Sequence, residues 1–353
     1  MLTAQKVTVR ISLGQSGIMV HHNETKILLD PSHPSDCDFT FVSHAHVDHL
    51  HKRGRKKTKT QVLASKETAL IANARGYQIT DPAEQYDGFQ LVDTGHILGS
   101  RGLLIGDNDI YYTGDISIRE RAFMKPARVP HARTLIIEST FGRPEYVFPA
   151  LSEVTHRTNK IISEMYDLGI PIVLMGYTLG KAQLLTKLFG HWDPLYVHES
   201  VAKMNSIYSD LGVELKSAVT HKQAEEEGLL SKNRPWIMVA PLMHSRNAFI
   251  KEMKDRHGAV TIGFTGWAIG QRYKYMMGLD YIMPLSDHCD YAELVAAVKQ
   301  CNPDKVYTFH GFAAEFAKSL REMGFDAEPA DHVRKKAEHQ EKNGIILSLD
   351  SFR

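Results

Sequence analysis

Six residues, His44-Ala-His46-Val-Asp48-His49, constrain this chain more than any others in it. They close the run FTFVSHAH, which reads as a buried strand, and side chains on a strand alternate, so His44 and His46 face one side. A turn after them lets Asp48 and His49 face a second point nearby. Neutral imidazole and carboxylate suit zinc-like cations. A histidine-rich surface loop is the plain alternative in a chain with 19 histidines, but this density at a strand end favours metal. Just beyond, residues 52–59 carry Lys52, Arg53, Arg55, Lys56, Lys57 and Lys59. A cation site gains nothing from such neighbours, so they read either as a contact for an incoming polyanion or as a solvated loop.

That polyanion is not attracted by the chain as a whole, because the formal net charge is +1 and any basic surface is local. At 353 residues there is room for two domains, or for one with a large insertion. Cys37, Cys289 and Cys301 are widely spaced and form no CxxC, which points to a reducing compartment. The first residues show no apolar signal core, and no stretch approaches the roughly 20 apolar residues of a membrane span. A soluble, cytoplasmic protein is expected.

The first 140 residues read as short strands and tight turns, with one helix that starts at an N-cap Ser65 and stops at Gly76. From about 150 the rhythm changes to helices alternating with continuous apolar runs such as IPIVLMGY and WIMVAPL, the pattern of a parallel sheet. After residue 284 come a helix, the strand KVYTFHG, another helix and a last strand GIILSLDSF.

More ligand candidates stand at strand ends. DTGHILGS places His96 between glycines where the backbone can turn sharply, and YYTGDIS does the same for Asp115, whose two oxygens could bridge two cations. TLIIE ends on Glu138, LSDHCDY offers His288, and VYTFHGF offers His310.

Taken in this order, HAHVDH, TGHILGS and TGD resemble the metallo-β-lactamase fold, an αββα sandwich with two metals at its sheet edges. Glu138, His288 and His310, flanking an α/β segment, resemble the three signature motifs of the β-CASP nucleases, including archaeal mRNA 3′-end processing factors and ligase-associated exonucleases. The resemblance covers nearly the whole chain. It implies an α/β metallo-β-lactamase domain in two parts, 1–150 and 284–353, with a β-CASP cap inserted at 151–283. It implies that His44, His46 and His96 hold one Zn2+, that Asp48, His49 and His310 hold a second, and that Asp115 bridges them, with Mn2+ as a substitute. Asp48, Glu138 and His288 carry the chemistry in that reading: a water acidified between the metals, and His288, oriented by Glu138, as general acid. Cys289 stands where the family usually has a small residue, and a thiol there would make activity sensitive to oxidation.

The expected substrate is single-stranded RNA, with DNA, the substrate of related exonucleases, as the alternative. A small-molecule metallo-hydrolase and a non-catalytic RNA-binding subunit are the readings of other classes, and a homodimer is compatible with the sequence. Besides the six cations after the ligands, Arg272 and Lys274 interleave with tyrosines in GQRYKYMM, where aromatics could stack on bases, or the segment is a half-buried strand. GYTLGKAQ is one residue short of a phosphate-binding loop and lacks its hydroxyl, which excludes nucleoside-triphosphate binding. Lys181, at the start of the helix there, is a phosphate contact in this reading.

Overall fold

The computed structural model describes residues 9–14, 16–33, 35–51, 60–231, 234–270 and 272–330. The basic segment 52–59 and the expected last strand lie outside them. The chain divides into two compact units, 1–118 with 126–145 and 289–353, and 119–125 with 146–288. The breaks expected from the sequence stand at 150 and 284.

The first unit is built on two sheets. One has five strands in the order Val9–Gly14, Gly17–His22, Thr25–Leu29, Phe39–Phe41, Gln61–Leu63. The other has seven, in the order Ala327–Pro329, Lys305–Phe309, Thr134–Glu138, Ile110–Tyr112, Arg101–Ile105, Phe89–Asp93, Gln85–Tyr86. Alternation along the strands sorts their side chains onto two faces. Leu103, Ile105, Tyr112 and Ile136 pack against Val20, Ile27, Leu29 and Phe41 of the five-stranded sheet. Their neighbours Leu104, Tyr111, Leu135 and Ile137 pack instead with Leu294, Val298, Phe316 and Leu320, on the helices Tyr291–Cys301 and Ala313–Glu322.

The second unit holds six parallel strands in the order Val219–Thr220, Leu195–Val197, Ile237–Pro241, Ile172–Gly176, Val260–Phe264, Tyr281–Met283. Ile172, Leu174, Ile237 and Val239 belong to one apolar cluster, and Val173, Met175, Met238 and Ala240 to another. A sheet covered on both faces needs apolar residues at every position, which is why these strands read as unbroken hydrophobic runs. The chain as a whole is α/β, as its sequence pattern predicts. No helix among the described residues is long and apolar enough to cross a membrane.

Two local expectations need correction. The strand expected through His46 ends at Phe41, so the histidines stand on the loop after it. Arg272–Met277 is a short helix with no buried side chain, not a half-buried strand. Its basic–aromatic alternation mimics period two, yet Tyr273 and Met277, four residues apart, are the ones that pack on the apolar cluster of the second unit, and that spacing is helical.

The helix Lys66–Ala74 forms as its sequence predicts: Ser65 Oγ accepts the Thr68 N–H at 3.0 Å, and Gly76 takes φ +87° just past the end. Ser65 Oγ also donates to Gly99 O at 2.6 Å, tying this helix to the turn that carries His96. Ser65→Ala should therefore lower stability by about 1–2 kcal/mol in urea unfolding, and an unchanged midpoint would contradict that tie.

Candidate metal centre

His44, His46, His96 and Asp115 bring one ligand atom each to within 4.8 Å of one another, and so do His49, Asp115 and His310. Asp115 belongs to both groups. Its Oδ2 lies 3.4 Å from His44 Nε2, 3.4 Å from His49 Nε2 and 3.5 Å from His96 Nε2, while its Oδ1 lies 3.9 Å from His310 Nδ1. His44, His49, His96 and Asp115 are buried, whereas His310 is exposed at its side chain.

Backbone conformations put these groups together. Gly114 takes φ +54° and packs its bare Cα on Ser43, where a Cβ would stand 2.6 Å from Ser43 Cβ. Gly95 and Gly99, at φ +67° and +83°, fold the turn that carries His96. His310 itself adopts φ +59°, uncommon for a side-chain-bearing residue, and its carbonyl accepts Ser139 Oγ at 2.8 Å. Gly311, at φ +49°, lies so close to Thr140 that a Cβ would collide with its main chain.

Asp30 is the functional residue that sequence reasoning missed. It ends the strand Thr25–Leu29 at φ +39° and accepts Ser43 N–H at 2.7 Å, Ser43 Oγ at 2.5 Å, Tyr112 Oη at 2.8 Å and His49 Nδ1 at 2.7 Å. Because Ser43 Oγ donates to Asp30, it accepts from His44 Nδ1 at 2.9 Å. Both imidazoles thus carry a proton on Nδ1 and turn Nε2, the atom left for a cation, toward Asp115. The one sequence signal was a strand-end aspartate before a proline, in KILLDP.

The donor set fits divalent cations. His49 Nε2 is buried and makes no hydrogen bond. His46 Nδ1 sits 3.0 Å from His44 Nε2 and 3.1 Å from His96 Nε2, three nitrogens that cannot all be satisfied by each other's protons. Burial and the neighbouring His49 push the His44 imidazole well below its usual range. Burial acts on His49 in the same sense, but Asp115 and Asp30 outweigh it and hold that imidazole well above.

The remaining expected residues sort differently. Asp48 is 69% exposed and stands at the rim, its carboxylate 3.7 Å from His49 Nε2. With His49 and His310 it lines a cavity of about 140 Å³ that also touches Asp30, Tyr112 and Thr308. Glu138 is fully buried and accepts the N–H groups of Ile116 at 2.8 Å and Thr140 at 3.2 Å, so it fixes the turn that follows Asp115. His288 is half-buried in the second unit, its N–H donating to Ser286 Oγ at 3.0 Å. Cys289 is buried with its thiol pushed well above the usual range by that burial, so the expected sensitivity to oxidation does not fit.

Of the basic residues, Lys52 to Lys59 lie outside the described ones. Arg272 is exposed, and Lys274 lies 6.0 Å from the Tyr275 ring centre and 5.8 Å from that of Tyr281. Lys181 corrects the expectation of a phosphate contact: it is 1% exposed, with its ammonium 2.9 Å from Asp287. Its charge meets an internal carboxylate, which leaves it no face toward solvent.

No family model matches the sequence. A probable DNA ligase of Opitutus terrae is 34% identical over 303 residues, 82% of this chain. An RNase J-like protein of Methanocaldococcus jannaschii is 22% identical, across 85% of this chain and 90% of its own length. The transcription termination factor FttA of the same organism is 28% identical over 42% of this chain. The chain belongs to the β-CASP nuclease family of the metallo-β-lactamase fold. It spans 28% of the ligase's length and 30% of that of FttA, so it corresponds to one part of each. A crystal structure of a protein from Enterococcus faecalis V583 shares the fold, with a TM-score of 0.60 over 91% of this chain and 96% of that one, at 13% identity.

The hydrogen bonds of Asp30 generate a prediction. Asp30→Asn keeps size and shape but weakens the acceptor that orients His49 and, through Ser43, His44. Zinc affinity measured by competition with a chelator should fall about 10–100-fold with the fold intact. Unchanged affinity would remove Asp30 from the centre.

Proposed function

We propose that the chain is a metal-dependent phosphodiesterase that cuts single-stranded nucleic acid. The observation that carries this reading is the sharing of one buried carboxylate, Asp115, by two groups of imidazoles. In this reading His44, His46 and His96 would hold one zinc, and Asp48, His49 and His310 would hold the other. Divalent cations in such a pair neutralise phosphate charge and acidify water. The chain's own residues do the rest. Asp30, Ser43 and Glu138 keep the ligand loops in place, and His288 donates a proton to the departing 3′ oxygen. Glu138 orients His288 in this scheme, the second unit acts as the β-CASP cap, and Arg272 and Lys274 meet the phosphates of the strand. The products are a 5′-phosphate and a 3′-hydroxyl.

The polymer has two readings, each with its own support. Motif content and the RNase-named relatives, aligned over 90% and 95% of their lengths, favour RNA. The higher identity of the DNA ligase relative, over 82% of this chain, favours DNA, and we give it the greater weight. End-labelled single-stranded DNA and RNA of one sequence, incubated with zinc or manganese, decide between them. Degradation of DNA with RNA spared is expected, and the reverse would return the reading to RNA. Cleavage of neither polymer would sink the nuclease reading.

Two substitutions separate the roles. Asp115→Ala should lose bound metal and cleavage together. His288→Ala should keep its metal while kcat falls about 10²–10⁴-fold; cleavage at the normal rate would remove it from the chemistry.

A further inference from the structure

The segment Gly176–Lys181 has the look of an incomplete phosphate loop, and the second unit shows another use for it. Gly176 ends the strand Ile172–Gly176, and any Cβ there would collide with Lys181 Cγ. The bare glycine lets the lysine stem run back under the sheet edge. Its ammonium ends 2.9 Å from Asp287 Oδ1. The same oxygen receives Arg121 Nη1 at 2.6 Å. Arg121 comes from the short segment 119–125, which belongs to the second unit although residues on both sides of it belong to the first. All three side chains are 7% exposed or less.

Stability does not account for this cluster. Two cations share one carboxylate, and burying each ion costs several kcal/mol before any pairing. Lys181 is also the first residue of the helix Lys181–Phe189, where the helix dipole disfavours positive charge. Burial draws its ammonium down to about 8, with Asp287 opposing that fall and Arg121 adding to it. An apolar side chain in place of Lys181 would avoid burial, repulsion and dipole alike. A chain that keeps such an arrangement is fixing something.

What it fixes is the residue before His288. Asp287 is gripped by two cations, and the His288 N–H is taken by Ser286 Oγ at 3.0 Å. On the other side, Cys289 N–H donates to Ile116 O at 2.8 Å, and Asp290 caps the helix Tyr291–Cys301. His288 therefore stands between two immobilised residues of the chain. We infer that Arg121 and Lys181, acting through Asp287, are positioning residues that set the main chain from which His288 presents its imidazole. The inference deepens the proposed function and rests on its reading of His288 as the general acid.

Two substrates test it. A natural phosphodiester needs a proton on its leaving oxygen, whereas a p-nitrophenyl phosphodiester releases a leaving group that departs without one. Lys181→Met should lower kcat on the natural polymer about 10–100-fold, as a misplacement of order 1 Å would, with KM and bound metal unchanged. On the p-nitrophenyl ester it should match the wild type. Lys181→Arg, which keeps the charge on Asp287, should recover most of the loss. Equal losses on both substrates, or no loss on the polymer, would overturn the inference. Should Lys181→Met melt below the assay temperature, Asp287→Asn carries the same comparison: a loss confined to the polymer supports the inference, and equal losses or none overturn it. The role of His288 is judged apart: His288→Ala losing both activities equally would overturn the general-acid reading, whatever the Lys181 variants do.

Discussion

Four imidazoles turned toward one buried carboxylate form the constraint on which the rest of the first unit depends. Left to themselves these groups would not gather, since desolvated nitrogen lone pairs facing one another are costly unless each finds a partner. The sequence therefore has to hold them by force of main chain. Gly114 lies against Ser43, Asp30 and His310 take positive φ, and Gly311 passes tight against Thr140. Backbone conformations of this kind persist only where the surroundings over-determine them, and here the two sheets supply the surroundings.

Asp30 is what turns a gathering of histidines into a ligand set. By accepting from His49 Nδ1 directly, and from Ser43 Oγ, which in turn accepts from His44 Nδ1, one carboxylate settles which nitrogen of two rings carries the proton. A metal ligand offers the other nitrogen, and both Nε2 atoms point to Asp115. The same logic recurs in the second unit at Asp287, where a carboxylate fixes a stretch of chain through its partners and not by any chemistry of its own.

Much of this was legible in the sequence because strand ends announce themselves. His96, Asp115, Glu138 and His310 each close or directly follow an apolar run, and the glycines beside His96, Asp115 and His310 mark turns that only a bare backbone makes cheaply. Alternating helices and unbroken apolar runs likewise gave away the parallel sheet of the second unit. Asp30 was not legible, since a strand-end aspartate before proline is an ordinary turn residue until His49 and Ser43 are seen beside it. Lys181 misled because its place at the start of a helix suggests a phosphate contact, while the direction of the lysine stem is a three-dimensional fact. The helix Arg272–Met277 misled through a period-two pattern, whereas the residues that pack on the core, Tyr273 and Met277, stand four apart.

In the first unit the two sheets, the strained turns and the buried carboxylates thus serve one arrangement around Asp115. Anomalous diffraction from zinc-loaded crystals tests that arrangement most directly. Two peaks are expected, one against His44, His46 and His96 and one against His49 and His310, with the Asp115 carboxylate reaching both. A single peak away from Asp115, or none at all in crystals grown with zinc, would contradict the account.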